Sequence, residues 1–154
     1  YVNKQKCGGN AVIDVGCGMG EIISHITQKN CYGYDLDKTI IDVAKKVKSR
    51  SNVIFREGSF DEIAQCPEGR MDIEYMITLN FLHGSPEEKW VDSYKLVCDA
   101  HNIRHFIVDV LPEGVNGSHK LDFTKILPAT YELVERMGPY LSGRYIEVYK
   151  KADI

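Results

Sequence analysis

The rhythm of apolar and polar positions changes repeatedly along these 154 residues. Ala11–Val15 is a short apolar run closed by glycines, the pattern of a strand buried on both faces. Over residues 21–28, Ile22, Ile23 and Ile26 share one face of an expected helix, and residues 31–34 read as a second strand. Asp37 stands where an N-cap belongs, ahead of Ile40, Ile41, Ala44 and Val47 at helical spacing. A third strand is expected over residues 53–55, a turn or two of helix over 61–65, and a longer strand over 71–79. In SPEEKW, Ser85 can cap, Pro86 suits the first helical position and Glu88 completes a capping box. That helix is expected to reach about Ala100 with Trp90, Tyr94 and Val97 inward. Residues 105–110 form a fifth strand, and the Gly-, Pro- and Asn-rich residues 111–128 a loop holding at most a short helix. Tyr131–Met137 and residues 144–150 flank MGPYLSG as an antiparallel hairpin.

Strands alternating with helices predict an α/β fold. The expected form is a single doubly wound, mostly parallel seven-stranded sheet with a C-terminal antiparallel hairpin and helices on both faces. One domain is expected over residues 1–154, since the length supports one core and not two.

Composition narrows the class without naming a chemistry. Hydrophobic residues make up 44% and charged residues 27%, and the formal net charge is −3. This argues against a phosphate-binding surface spread over the whole domain. The densest basic run, Lys45, Lys46, Lys48 and Arg50, reads as the solvated face and end of a helix. Five cysteines (Cys7, Cys17, Cys31, Cys66, Cys98) include no C-x-x-C pair, so free thiols are expected rather than disulfides or a zinc site. No apolar run approaches the roughly 18–20 residues that span a bilayer. A soluble cytoplasmic protein with no membrane contact and no metal is the expectation.

The most informative stretch is AVIDVGCGMG, which places Gly16, Gly18 and Gly20 between a strand and a helix as G-x-G-x-G. Small residues there let a ligand lie against the backbone. The dinucleotide fingerprint needs a third glycine one position later, where this chain has Glu21, a carboxylate that would repel a pyrophosphate. Such a turn also occurs without a ligand. Asp35 ends the next strand, however, and in an open α/β sheet the carboxyl ends of neighbouring strands share one crevice. A carboxylate there can accept hydrogen bonds from both hydroxyls of a ribose.

On these residues the chain resembles the class I S-adenosylmethionine-dependent methyltransferases over nearly its whole length. The family's first motif is matched by Asp14, Gly16, Gly18 and Gly20, and its second by Asp35. The resemblance implies S-adenosylmethionine as cofactor. The glycine loop, Cys17 included, would lie beneath its methionine part, Asp35 and Leu36 beside its ribose and adenine, and Asp14 near the loop or the cofactor's amino group. In the third motif the family's usual acid is replaced by Ser59. Phe60 would supply a backbone N–H and an apolar wall, while Asp61 either accepts from the adenine amino group or caps a helix. MDIEYMITLNFLHG resembles the fourth motif, placing Asn80, Phe81, Leu82 and His83 beside the methionine end and the acceptor.

The resemblance implies methyl transfer by in-line displacement. Alignment of acceptor, methyl and sulfur can supply roughly 7–11 kcal/mol of barrier reduction. His83 is the candidate general base, since a histidine titrates near neutral pH; the alternative is a polar residue at a strand-to-helix turn. His25, His101, His105 and His119 lack metal-ligand spacing, His105 is expected to open a strand, and His119 with Asp122 is a second candidate for the acceptor pocket. Tyr140 and Tyr145 either line that pocket or cover the sheet. A small-molecule acceptor is expected and nucleic acid is not: strand four ends in Leu79-Asn80-Phe81-Leu82, not the Asn/Asp-Pro-Pro-aromatic run common among base-amino methyltransferases. Few residues precede the first strand and helix signal is weak after the fifth. A minimal form, a fragment, and a pocket completed by a second copy or another subunit are the alternatives. Other readings are a non-catalytic cofactor-binding or assembly module and, disfavoured by the glycine spacing, a nicotinamide-dependent oxidoreductase.

Overall fold

The structure, a computed structural model, describes residues 1–5, 10–28, 30–48, 52–112, 114–115 and 118–153. Its strands are β1 (Ala11–Val15), β2 (Cys31–Asp35), β3 (Val53–Glu57), β4 (Asp72–Thr78), β5 (Asn102–Val110), β6 (Tyr131–Met137) and β7 (Tyr145–Lys151). Its α-helices are α1 (Lys38–Val47), α2 (Phe60–Ala64), α3 (Glu88–Ala100) and α4 (Phe123–Ile126). The strands form one seven-stranded sheet in the order β3-β2-β1-β4-β5-β7-β6. β1 to β5 run parallel, and β7 is antiparallel to both β5 and β6. The chain winds outward from β1 to β3, then crosses back to place β4 on the other side of β1. The switch point therefore lies between β1 and β4, where a crevice opens at the strands' carboxyl ends.

The period-two alternation of side chains divides the core in two. Ile13, Met76, Phe106 and Val108 face α2, α3 and α4, meeting Phe60, Trp90, Tyr94, Val97 and Phe123. Val12, Tyr75, Ile77, Ile107 and Val148 face the other way, toward Ile41 and Ala44 of α1, and toward Ile23, Ile26 and Val2. Tyr94 is fully buried and its hydroxyl lies 2.6 Å from Thr78 Oγ1, so the central helix–sheet contact carries a satisfied polar pair. Asp37 caps α1 as expected, accepting from the N–H groups of Thr39 and Ile40 at 2.8 and 3.3 Å.

Several local expectations are corrected. Residues 21–28 form only a 3-10 turn, Ile23–His25, with Ile26 already extended. Eight residues with a β-branched run, entered through the left-handed Gly20, do not sustain an α-helix before β2 must begin. The helix after SPEEKW starts at Glu88 without a side-chain cap, so the Ser85 capping box does not form. The capping box sits instead on α2, where the Glu62 carboxylate accepts from the Ser59 N–H at 2.8 Å; Asp61 is therefore not the cap. Val47 is 64% exposed, because only Ile41 and Ala44 of α1 reach the sheet. His105 lies within β5, which begins at Asn102, and stacks on Tyr75 at 4.8 Å. Cys17, Cys31, Cys66 and Cys98 are free thiols, while Cys7 and Arg50 lie outside the described residues. Among the described residues no helix is long and apolar enough to cross a membrane.

Candidate cofactor and acceptor site

Asp35 is the hub at the carboxyl ends of β1, β2 and β3. Its Oδ2 accepts from the Gly18 N–H at 3.0 Å and its Oδ1 from the Asp37 N–H at 2.9 Å. Its carbonyl accepts from the Gly58 N–H at 2.8 Å, which draws the loop after β3 against the end of β2. The three segments singled out from the sequence around Gly16–Gly20, Asp35–Leu36 and Ser59–Asp61 are thus joined through one residue. Leu36, 73% exposed, and Met19, 45% exposed, are apolar side chains left open beside this hub.

The glycine loop has the shape its composition demands. Gly16, Gly18 and Gly20 all have positive φ. A Cβ on Gly16 would stand 2.5 Å from the Phe81 ring, so the loop after β4 packs directly on the first glycine. Cys17 tucks beneath, its N–H bonded to the Tyr34 carbonyl at 2.9 Å. Gly33 makes room for it, since a Cβ there would meet the Cys17 sulfur at 2.9 Å. Burial first, then the charges of Asp14 and Asp35, pushes the Cys17 thiol up to about 12, so it stays protonated and unreactive.

Asp14 lies buried behind this loop, and its Oδ2 has no hydrogen-bond partner. Burial pushes its carboxyl up to about 7; the Ile23 N–H opposes the shift, and the carboxylates of Asp35 and Glu21 add to it. Phe60 does not supply the wall expected of it. Its ring is buried in the core 5.1 Å from Tyr94, and only its backbone faces the β3 end. Asp61 is exposed.

Across the switch point, two residues beyond the end of β4, stands Asn80, the one non-glycine residue with positive φ (+72°) among those described. A left-handed Asn needs fixing, and two groups that the sequence reading passed over provide it. The Asn80 N–H donates to Asp109 Oδ1 at 3.2 Å, and its side-chain oxygen accepts from Arg144. Asp109 is fully buried on β5, with Arg144 Nη1 3.4 Å from its Oδ2 and His83 Nε2 3.2 Å from its Oδ1. His83 is itself buried. Its Nδ1 lies 3.4 Å from the His119 carbonyl, and the His119 N–H returns a bond to the His83 carbonyl at 2.9 Å. His83 Nε2 and Asp109 Oδ2 have no hydrogen bond of good geometry. The signal for Asp109 was present: IVDV repeats the VIDV of Asp14, an acid one residue before the end of an apolar strand. Asp122 caps α4, accepting from the Thr124 N–H at 3.1 Å, and shares a polar hollow with His119. Tyr140 is exposed, and Tyr145 lies under the Arg136 guanidinium at 5.4 Å.

This sheet order, with a hairpin closing its edge and a glycine loop at the switch point, is that of the class I methyltransferases. The chain matches the family model described as methyltransferase domain over residues 12–104, and it belongs to that family, which uses S-adenosylmethionine. Its fold is similar to magnesium protoporphyrin IX methyltransferase of Synechocystis PCC 6803 with bound SAH (18% identity, 94% of this chain and 74% of that one, TM-score 0.71). It is also similar to the N-methyltransferase NodS of Bradyrhizobium japonicum WM9 in complex with S-adenosyl-L-homocysteine (14% identity, 94% and 79%, TM-score 0.72). A third similar structure is the complex of the Haloferax volcanii Trm112 methyltransferase activator with a methyltransferase (12% identity, 95% and 83%, TM-score 0.67). No curated protein matches the chain in sequence.

Proposed function

We propose that the chain, acting as one domain, transfers the methyl group of S-adenosylmethionine to a small molecule whose accepting atom lies beside Asn80 and Asp109. The observation that carries this reading is Asp35 joining the glycine loop to the loop after β3. A carboxylate has about four lone-pair sites. Two accept backbone N–H groups, leaving two for the hydroxyls of a ribose. The unpartnered Asp14 Oδ2 behind the loop suits an amino group, and the exposed Leu36 offers an apolar surface to a base. The residues present fit the cofactor.

When bound, the cofactor supplies a methyl group on a positively charged sulfur, a leaving group that departs as a neutral thioether. The chain must then align the acceptor and manage its proton. Asn80, held left-handed by Asp109 and Arg144, and Phe81, seated on Gly16, form the wall between the glycine loop and the β4–β5 crevice. An N–H or O–H acceptor that took up the methyl group would have to lose its proton. His83 Nε2 and Asp109, facing each other at 3.2 Å, are placed to take it.

Calorimetric titration with S-adenosylhomocysteine tests the reading. Saturable binding is expected, weakened about tenfold or more in Asp35→Ala by the loss of ribose hydrogen bonds. A folded wild-type chain that binds neither S-adenosylhomocysteine nor S-adenosylmethionine would overturn it.

A further inference from the structure

Among the described residues four carboxylates are buried: Asp14, Glu74, Asp109 and Glu147. Three of them face an arginine. Arg104 stands 3.8 Å from Glu74, Arg144 stands 3.4 Å from Asp109, and Arg136 pairs with Glu147. Asp14 is the exception. Among the described residues it has no ion pair, and its Oδ2 has no hydrogen-bond partner. The charges that reach it are of its own sign. Asp35 closes on Gly18 from β2, and the Glu21 carboxylate lies 3.5 Å from where a Cβ on Gly18 would stand. Both carboxylates add to the upward push that burial gives the Asp14 carboxyl, and the Ile23 N–H opposes it. The Cys17 thiol beside it stays protonated. Its neighbours in register, Gly33 on β2 and Ile77 on β4, bring no charge.

A buried carboxylate with no cation beside it keeps its proton, because ionising would forfeit solvation and gain only like charges. An arginine would hold it ionised permanently, as at Glu74, Asp109 and Glu147. Here the positive charge is left to a ligand in the crevice that Asp35 and the glycine loop share. Resting on the methyltransferase reading, we infer that the empty site stores a proton on Asp14 and releases it to solvent when an adenosyl ligand with an ammonium-bearing 5′ arm binds, which makes cofactor binding pH-regulated. The ammonium arrives already protonated, so the proton that leaves is that of Asp14. An ammonium N–H bond to Oδ2 takes the place of the carboxyl O–H. Below about pH 7 binding therefore expels a proton, and affinity rises with pH by up to about tenfold per unit; above it the carboxylate is already free and affinity levels off.

The test is calorimetry of the whole chain in two buffers of different ionisation enthalpy, MES and imidazole, whose difference in heat counts the protons released. Two ligands are compared: S-adenosylhomocysteine, and 5′-methylthioadenosine, which keeps the nucleoside and the thioether and lacks the ammonium. At about pH 6, S-adenosylhomocysteine is expected to release close to one proton per molecule bound and 5′-methylthioadenosine none. By about pH 8 the release is expected to vanish, with S-adenosylhomocysteine bound about tenfold tighter or more. Asp14→Asn is expected to release no proton and to bind S-adenosylhomocysteine with an affinity that changes less than about twofold over the same range. Should that variant fail to fold, the two ligands on the wild type carry the test alone. Wild-type affinity for S-adenosylhomocysteine that is the same at both pH values, with equal heats in both buffers, overturns the inference. So does an undiminished release in Asp14→Asn, since the proton would then come from a histidine or from the ligand. Equal release by 5′-methylthioadenosine overturns it too, since the ammonium would not be what displaces the proton. A folded wild type that binds neither ligand at either pH is a separate result, and removes the methyltransferase reading itself.

Discussion

The Gly18 N–H donates to the carboxylate of Asp35 across 3.0 Å, tying the loop after β1 to the end of β2. This bond means that Asp35 does structural work before any ligand arrives. Asp35→Asn and Asp35→Ala are therefore expected to differ. The amide keeps one carbonyl acceptor, so Asn should retain part of the loop closure and lose less affinity for S-adenosylhomocysteine than Ala. A ranking of wild type, Asn, Ala by calorimetry is expected; equal affinities for all three would show that the carboxylate neither holds the loop nor meets the ligand.

Gly16 and Phe81 give a second expectation. Gly16→Ala meets two obstacles: a φ of +70°, and a ring carbon of Phe81 at 2.5 Å from the new methyl. The strain of a left-handed Ala together with displacement of the ring is expected to lower stability by about 1–3 kcal/mol. Denaturant unfolding measures this. Phe81→Ala in the same chain should recover part of the loss, because it removes the clash and leaves only the backbone strain. A double variant no more stable than the sum of the two single losses predicts would mean that the ring moves freely and the clash is not real.

Much of this was legible in the sequence for physical reasons. A buried strand such as Ala11–Val15 advertises itself by its apolar run, the largely exposed Tyr131–Met137 by its place in a hairpin around MGPYLSG, and Asp37 by its place before an amphipathic run. Three things were not legible. Residues 21–28 carry a helical apolar pattern, but eight residues between a tight loop and a strand give too little length for the pattern to act. Ser85 and Ser59 both precede a glutamate three residues on, and only tertiary packing selects the second: Phe60 drops into the core beside Tyr94 and fixes the start of α2 there. The Asn80–Asp109–Arg144 group joins β4, β5 and the segment entering β7. Its members meet only because β7 inserts between β5 and β6, a pairing that no local pattern encodes.

The His83–Asp109 pair makes a kinetic expectation. If the pair takes the acceptor's proton, His83→Gln and Asp109→Asn should each lower kcat about 10²-fold or more with an N–H or O–H acceptor. Affinity for S-adenosylhomocysteine should stay within a few fold. A merely structural role would instead appear as a parallel loss of stability and cofactor affinity without a selective loss of kcat.

Asp14 makes the expectation with a definite sign. Its carboxyl is pushed by burial from an ordinary 3.8 to about 7 in the folded chain. Between those values the folded state holds a proton that the unfolded state has released. Folding stability from this group is therefore fully present below about pH 4, falls as pH rises, and levels off above about 7. A shift of that size corresponds to at most about 4 kcal/mol. Asp14→Asn, which cannot ionise, should remove this slope. The measurement is the difference in unfolding free energy between wild type and Asp14→Asn, by urea denaturation from pH 4 to pH 8. The variant is expected to gain on the wild type steadily up to about pH 7 and no further. A difference that stays flat with pH would mean that the Asp14 carboxylate is stabilised by a donor, and that its Oδ2 is not the open acceptor behind the glycine loop.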